Sequence, residues 1–430
     1  MKYSILLKNA NVISHDGKIS SGKYIYIKDD KIDKICTSYT DNATIEIDCS
    51  SYFITPGLVN LHAHSPMNIF KGIAEDVTVD DWFNKEIWPY ESKILSDDIY
   101  YGALLSMMEM MDNGITAFAD HYFDAKMICK AALHTGIKVD IAPTLFGLAD
   151  TFDEQLENVS KQIIDTNGKY KKINIRMGPH SPYTCNDKQL MKIIDRANEL
   201  KVGMHLHVSE TKEQVENSLK TYGKTPFELL ESIGAFKIPT IIAHGLWIQD
   251  DDIKHINENV TMAVCTKTYM KLACGYGNIW NYYKTLPLAI GTDGAASSNT
   301  VDCIEQARLF ALVGKFMNNN PEAYSLTDIW KIMMKGHEAL NFNSGKIEEG
   351  YCADIIIWNL DDINTAPIYN PLSAIMYSSS SKNVHHLIIN GNFVKKNGQL
   401  CIDKEIIIKE AKERARDILN RGKGKTKLVF

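Results

Sequence analysis

The chain has 430 residues, a formal net charge of -6, 45% hydrophobic and 23% charged residues. A mild acidic excess gives no basic face for nucleic acid, and no apolar run is long enough to span a bilayer. The 9 cysteines are scattered without a CxxC pair, which excludes a disulfide framework and the zinc nucleobase deaminases that need a PCxxC motif, and points to a reduced, cytoplasmic protein.

Residues 1–55 alternate in short apolar pieces, with Asp16-Gly17 and Asp29-Asp30 as turns. From residue 56 the pattern changes. Apolar runs at 58–64, 115–120, 138–145, 173–180, 202–209, 240–246, 260–265 and 287–294 read as strands, with amphipathic helices between most of them. One helix follows Ser96, a good N-cap, and stops at Asn113-Gly114; Met107, Met108, Met110 and Met111 pack it inward. Another is capped by Asn186 or Asp187 and carries Leu190, Ile193, Ile194 and Ala197 on one face. Eight strands with intervening helices fit a closed (β/α)8 barrel over 56–345. Residues 346–401 alternate again, with Asn390-Gly391 and Asn397-Gly398 as turns, so both ends are expected to build one small β-sandwich. A terminal helix over 404–421 leaves 422–430 as a loose or partner-docked tail.

Chemistry gathers at the expected strand ends. His62 and His64 stand two apart, so on a strand they share one face. His205, His207 and Glu210 end the fifth strand, His244 the sixth and Asp293 the eighth. In a barrel all of these aim into one mouth, and imidazoles with a carboxylate suit a single divalent ion: zinc, with iron or manganese taking the same ligand types.

The ordered set LVNLHAH, KGIAEDVTVDDWF, GPHSPYTC, HLHVSE, IAHG and GTDGAASSN resembles the amidohydrolase superfamily, in its methylthioadenosine/S-adenosylhomocysteine deaminase and triazine chlorohydrolase branch. The likeness covers nearly the whole chain, flanks included. It implies that His62, His64, His207 and Asp293 hold one metal ion. By the same likeness Glu210 protonates a ring nitrogen, His244 orients the attacking water and Asp293 takes its proton. Trp82, Glu91 and His180 would contact substrate, with Glu91 on the ribose hydroxyls. His205 is structural on this reading. The fourth strand, INIRMGPHSPY, lacks the lysine of two-metal relatives, so one metal and a heterocycle deamination follow.

Two departures bear on the substrate. Relatives that accept S-adenosylhomocysteine carry arginines after the third strand; here Phe146 stands at the first such place and TLFGLADTFDEQLEN has none. The seventh strand reads VCTKTYMKL, with Val264, Thr266, Thr268 and Tyr269 in place of the His, Pro, Ser and Asn of relatives, and Lys267 either anchors a substrate anion or is solvated. The expected activity is therefore hydrolysis of a C–N bond in a cyclic amidine: deamination of 5′-methylthioadenosine or a 5′-deoxyadenosine-like nucleoside, by a homo-oligomer (dimer or tetramer). The alternatives are another heterocycle (guanine, pterin or triazine) and a non-catalytic scaffold.

Overall fold

The alternating N-terminal pieces form five strands in a computed structural model that describes residues 2–148 and 150–426: β1 (Tyr3–Ile13), β2 (Ile19–Lys28), β3 (Lys31–Cys36), β4 (Ala43–Asp48) and β5 (Phe53–Pro56). Gly17 and Asp29, both at positive φ, turn β1 into β2 and β2 into β3.

The next nine strands are β6 (Leu58–Ala63), β7 (Ile115–Tyr122), β8 (Lys138–Leu145), β9 (Ile173–Ile175), β10 (Gly178–Pro179), β11 (Met204–Val208), β12 (Thr240–His244), β13 (Val260–Val264) and β14 (Leu288–Ile290). They pair in parallel as β6–β7–β8 with β9 and β10 both on β8, and as β11–β12–β13–β14. Bridges Met177–Met204 and Ala63–Asp293 join the two sets into a ring. This is the expected parallel barrel, with its fourth strand broken at Arg176. The Arg176 guanidinium there donates two bonds of 2.6 Å to the Asp140 carboxylate. The eighth strand is also shorter than expected, because after Ile290 the backbone turns to place Asp293.

Strands β15 (Ile355–Trp358), β16 (Val384–Ile389), β17 (Asn392–Lys396) and β18 (Gln399–Leu400) return to the N-terminal strands. The order β18-β17-β16-β15-β5-β1-β2-β3, with β4 beside β1, makes a nine-stranded sheet from both chain ends. Its isoleucines, among them Ile5, Ile25, Ile54, Ile355 and Ile388, form a core of their own. Lys138 at the start of β8 and Asp354 before β15 pair at 2.5 Å with side chains 1% and 0% exposed, tying barrel to sheet.

Asn186 caps the helix Asp187–Leu200: its side chain accepts from Gln189 N–H, and Gln189 accepts from Asn186 N–H. Ser96 does not cap the helix Ser96–Asp112 but begins it. Asp98 instead accepts from Leu95 N–H at 2.8 Å, and the Ser96 hydroxyl donates to Asp124. All nine cysteines are free, and no helix among the described residues is long and apolar enough to cross a membrane. Of the expected tail, residues 422–426 are not loose but lie against their own chain, and 427–430 lie outside the described residues.

Candidate metal and substrate site

Strand β6 is buried on both faces, as a barrel stave must be, and its end delivers His62 and His64 into the mouth while Ala63 bridges Asp293. His62 O accepts from both Thr292 N–H and Asp293 N–H (3.0 and 2.9 Å). That tie holds Asp293 at φ 60; His244 sits at φ 72. Left-handed backbone at non-glycine residues costs energy and persists where the surroundings impose it, often at functional sites. Gly291 allows the approach: a Cβ there would stand 2.9 Å from Cys265 Sγ and 3.0 Å from His62 Cβ.

The imidazole protons can be assigned from their partners. His64 Nδ1 donates to His121 O (2.5 Å) and His207 Nδ1 donates to His180 O (2.8 Å), which leaves each Nε2 as the free end of its ring. Those two Nε2 atoms face each other at 3.3 Å. Asp293 Oδ1 lies 3.2 Å from His64 Nε2 and 3.6 Å from His62 Nε2, which has no hydrogen-bond partner. Four lone-pair donors converging in a buried space require positive charge between them. Burial opposes a charge on His64, yet Asp293 and the His121 carbonyl hold its pKa up at about 9. Burial pushes His62 down to about 3. The set fits a divalent metal ion. Asp293 is oriented from behind, since Oδ2 accepts from Ser297 Oγ (2.9 Å) and Oδ1 from Gly294 N–H (2.7 Å).

Beside this cluster stand Glu210 and His244, Oε1 to Nε2 3.8 Å. Ligand atoms of Glu210, His244 and Asp293 all lie within 4.8 Å of one another, as do those of His62, His64 and His207. Burial raises the Glu210 carboxyl above its ordinary value, which favours its protonated form.

This cluster opens into a cavity of about 640 Å³. Trp82, Glu91 and His180 all line it. Glu91 is 7% exposed and belongs to the short turn Trp88–Glu91, not to the start of the next helix; burial raises its pKa. Trp82 Nε1 donates to Ala296 O at 3.4 Å, and the His180 ring stacks on Phe146 at 4.7 Å. Phe83, Trp88, Phe123 and Leu148 complete an apolar wall, and no lysine or arginine among the described residues lines the cavity.

His205 is turned away from the cavity, its Nε2 2.9 Å from His62 Nδ1, and so it fixes the His62 ring. Lys267 does neither of the two things expected of it. Its Nζ is held by both Glu305 carboxylate oxygens (2.8 and 2.9 Å) and Thr300, away from the cavity. Of the divergent seventh-strand positions, Thr268 bonds Ser297 (3.2 Å) behind Asp293, and the Tyr269 ring lies 5.7 Å from His244. The sequence reading missed His121 and Tyr122, which line the cavity. Extending the alternation of β7 past Asp120 to His121 would have found one of them.

A family model described as the amidohydrolase family matches residues 53–394. A 5-methylthioadenosine/S-adenosylhomocysteine deaminase of Dictyoglomus thermophilum is 35% identical over 424 residues, covering 97% of this chain and 99% of the relative. One from Pyrococcus furiosus is 33% identical over 419 residues, covering 94% and 98%. Among solved structures, an adenosine deaminase of Xanthomonas campestris with bound zinc superposes with a TM-score of 0.92 at 24% identity, covering 97% of this chain and 99% of that one. An atrazine chlorohydrolase of Arthrobacter aurescens complexed with zinc gives 0.88 at 22%, covering 96% and 100%. Matched along most of its length by the family model and nearly end to end by such relatives, the chain belongs to the amidohydrolase family.

Proposed function

We propose that the chain is a hydrolytic deaminase of adenine-type nucleosides with an apolar 5′ group or none, such as 5′-methylthioadenosine or 5′-deoxyadenosine, and that S-adenosylhomocysteine is a poor substrate. The observation that carries the reading is the lone-pair cluster of His62, His64, His207 and Asp293, with a protonatable Glu210 and His244 beside it at the head of an aromatic-walled cavity. The names of the curated relatives support the reaction.

His62, His64, His207 and Asp293 would hold the ion, zinc in our reading, with iron or manganese able to use the same donors. Such an ion, when bound, acts as a Lewis acid that lowers the pKa of water toward neutrality. His244 orients the water, and Asp293 takes its proton as the oxygen adds to the carbon bearing the amine. Glu210, whose protonated form burial favours, gives its proton to the adjacent ring nitrogen. The C–N bond then breaks: the amine leaves as ammonia with the proton that Asp293 held, and the proton on the added oxygen passes to Glu210 as the carbonyl forms, restoring the acid. Glu91 accepts the ribose hydroxyls, Trp82 closes the wall and His180 packs against the substrate.

A second reading, hydrolysis of a substituted triazine, draws on the neutral apolar wall and the likeness of fold to the chlorohydrolase. Glu91→Ala separates them, because losing the sugar contact should cripple nucleoside turnover and leave triazine turnover unchanged. The proposal also takes the enzyme to be a cytoplasmic homo-oligomer, a dimer or tetramer. Its direct test is ammonia release by the metal-loaded protein from a panel of purine nucleosides; no release from any of them would end the deaminase reading.

A further inference from the structure

Six cavity residues, Val79, Trp82, Phe83, Asn84, Trp88 and Glu91, come from one segment of short turns, including the wide π-turn Trp82–Ile87. Short turns of this kind have little internal rigidity, so something else must hold them. The opposite side of the segment meets the C-terminal residues. Lys425 N–H donates to Lys85 O (3.1 Å), and Thr426 Oγ1 lies 2.9 Å from both Glu86 Oε2 and Ile73 O. Glu86 is 8% exposed, and Thr426 is its one hydrogen-bond partner among the described residues. Tyr90, next to Glu91, packs under Gly422 and Gly424, where a Cβ at either glycine would overlap its ring.

We propose that residues 422–426 are a strap that positions the substrate-binding segment 79–91, acting on Trp82, Trp88 and Glu91 through Lys85, Glu86 and Tyr90. The strap residues do not enter the cavity themselves. The assignment of Glu91 to the sugar rests on the function proposed above; the mechanical role of the strap does not.

Ending the chain after Arg421 tests it, since this keeps the helix Lys404–Arg421 and the Arg421–Asp98 ion pair. Expected are faster amide exchange across 79–91, unchanged metal content, and a KM for 5′-methylthioadenosine raised about tenfold, equivalent to about 1.4 kcal/mol, with kcat nearly kept. Gly424→Ala and Thr426→Val, which retain the full chain, should each reproduce part of both changes. In a Glu91→Ala background the truncation should raise KM by a smaller factor, because the strap then acts through Trp82 and Trp88 alone. Unchanged exchange across 79–91 overturns the proposal. So does a freed segment with unaltered KM, or a KM rise of equal size with and without Glu91. Should nucleosides not be turned over at all, the proposed function fails, and the exchange measurement alone decides the strap.

Discussion

Replacing Phe146 by arginine tests what the cavity wall selects. The Phe146 ring stacks on His180 at 4.7 Å and lies 6.0 Å from Phe123 and 6.5 Å from Trp88, in a wall with no cationic side chain among the described residues. A thioether methyl loses nothing on entering such a wall. The amino-acid carboxylate of S-adenosylhomocysteine gives up water and gains no partner. A hydrogen bond to a charged group contributes about 1.5–3 kcal/mol, so the missing one should separate the two substrates by about 10- to 150-fold in kcat/KM. Phe146→Arg supplies a bidentate donor at that place. The ratio of kcat/KM for S-adenosylhomocysteine over 5′-methylthioadenosine, read by ammonia release, should rise by a similar factor, mostly through KM. Equal turnover of both substrates by the unmodified enzyme, or an unmoved ratio in the variant, would refute the reasoning.

Glu210→Gln keeps the size of the side chain but removes the proton it would donate; kcat should fall by about 10²- to 10⁴-fold while metal content, read by plasma mass spectrometry, stays the same. Lys138→Met leaves Asp354 charged in a dry interior and should cost about 3–5 kcal/mol in denaturant unfolding, part of which Asp354→Leu in the same chain restores. His337 gives a pH test. Its Nε2–H donates to Gly57 O and its Nδ1 accepts from Ser344 (both 2.9 Å), and burial pushes its pKa down to about 4. With an unfolded value near 6.5, neutral His337 contributes fully above that pH, and its contribution is lost as the pH falls toward 4. The shift corresponds to roughly 3 kcal/mol, so stability measured from pH 7 to 4 should fall less steeply in His337→Gln than in the unmodified chain.

The parts of the fold that follow local rules were legible in the sequence. Period-two spacing put His62 and His64 on one face of a strand, and Asn186 capped its helix as its side chain dictates. Legibility ended where distant residues decide. Ser96 is a good cap by type, but the helix takes Ser96 as its first residue and the hydroxyl goes to Asp124, 28 residues away. The break in the fourth strand follows Arg176 pairing with Asp140, which is 36 residues away in the chain. Lys267 looked unpaired because Glu305 is 38 residues off, and the tail looked loose because Tyr90 and Glu86, which hold it, lie more than 300 residues before it. His121 reached the cavity from a stretch whose apolar pattern drew attention to its start rather than its end.

The most direct measurement is an anomalous-scattering map of the crystalline protein at the absorption edge of the metal it carries. The account predicts one peak per chain, about 2.0–2.2 Å from Nε2 of His62, His64 and His207 and from an oxygen of Asp293. A pair of peaks, or a peak held by other residues while these four stand apart, would contradict it.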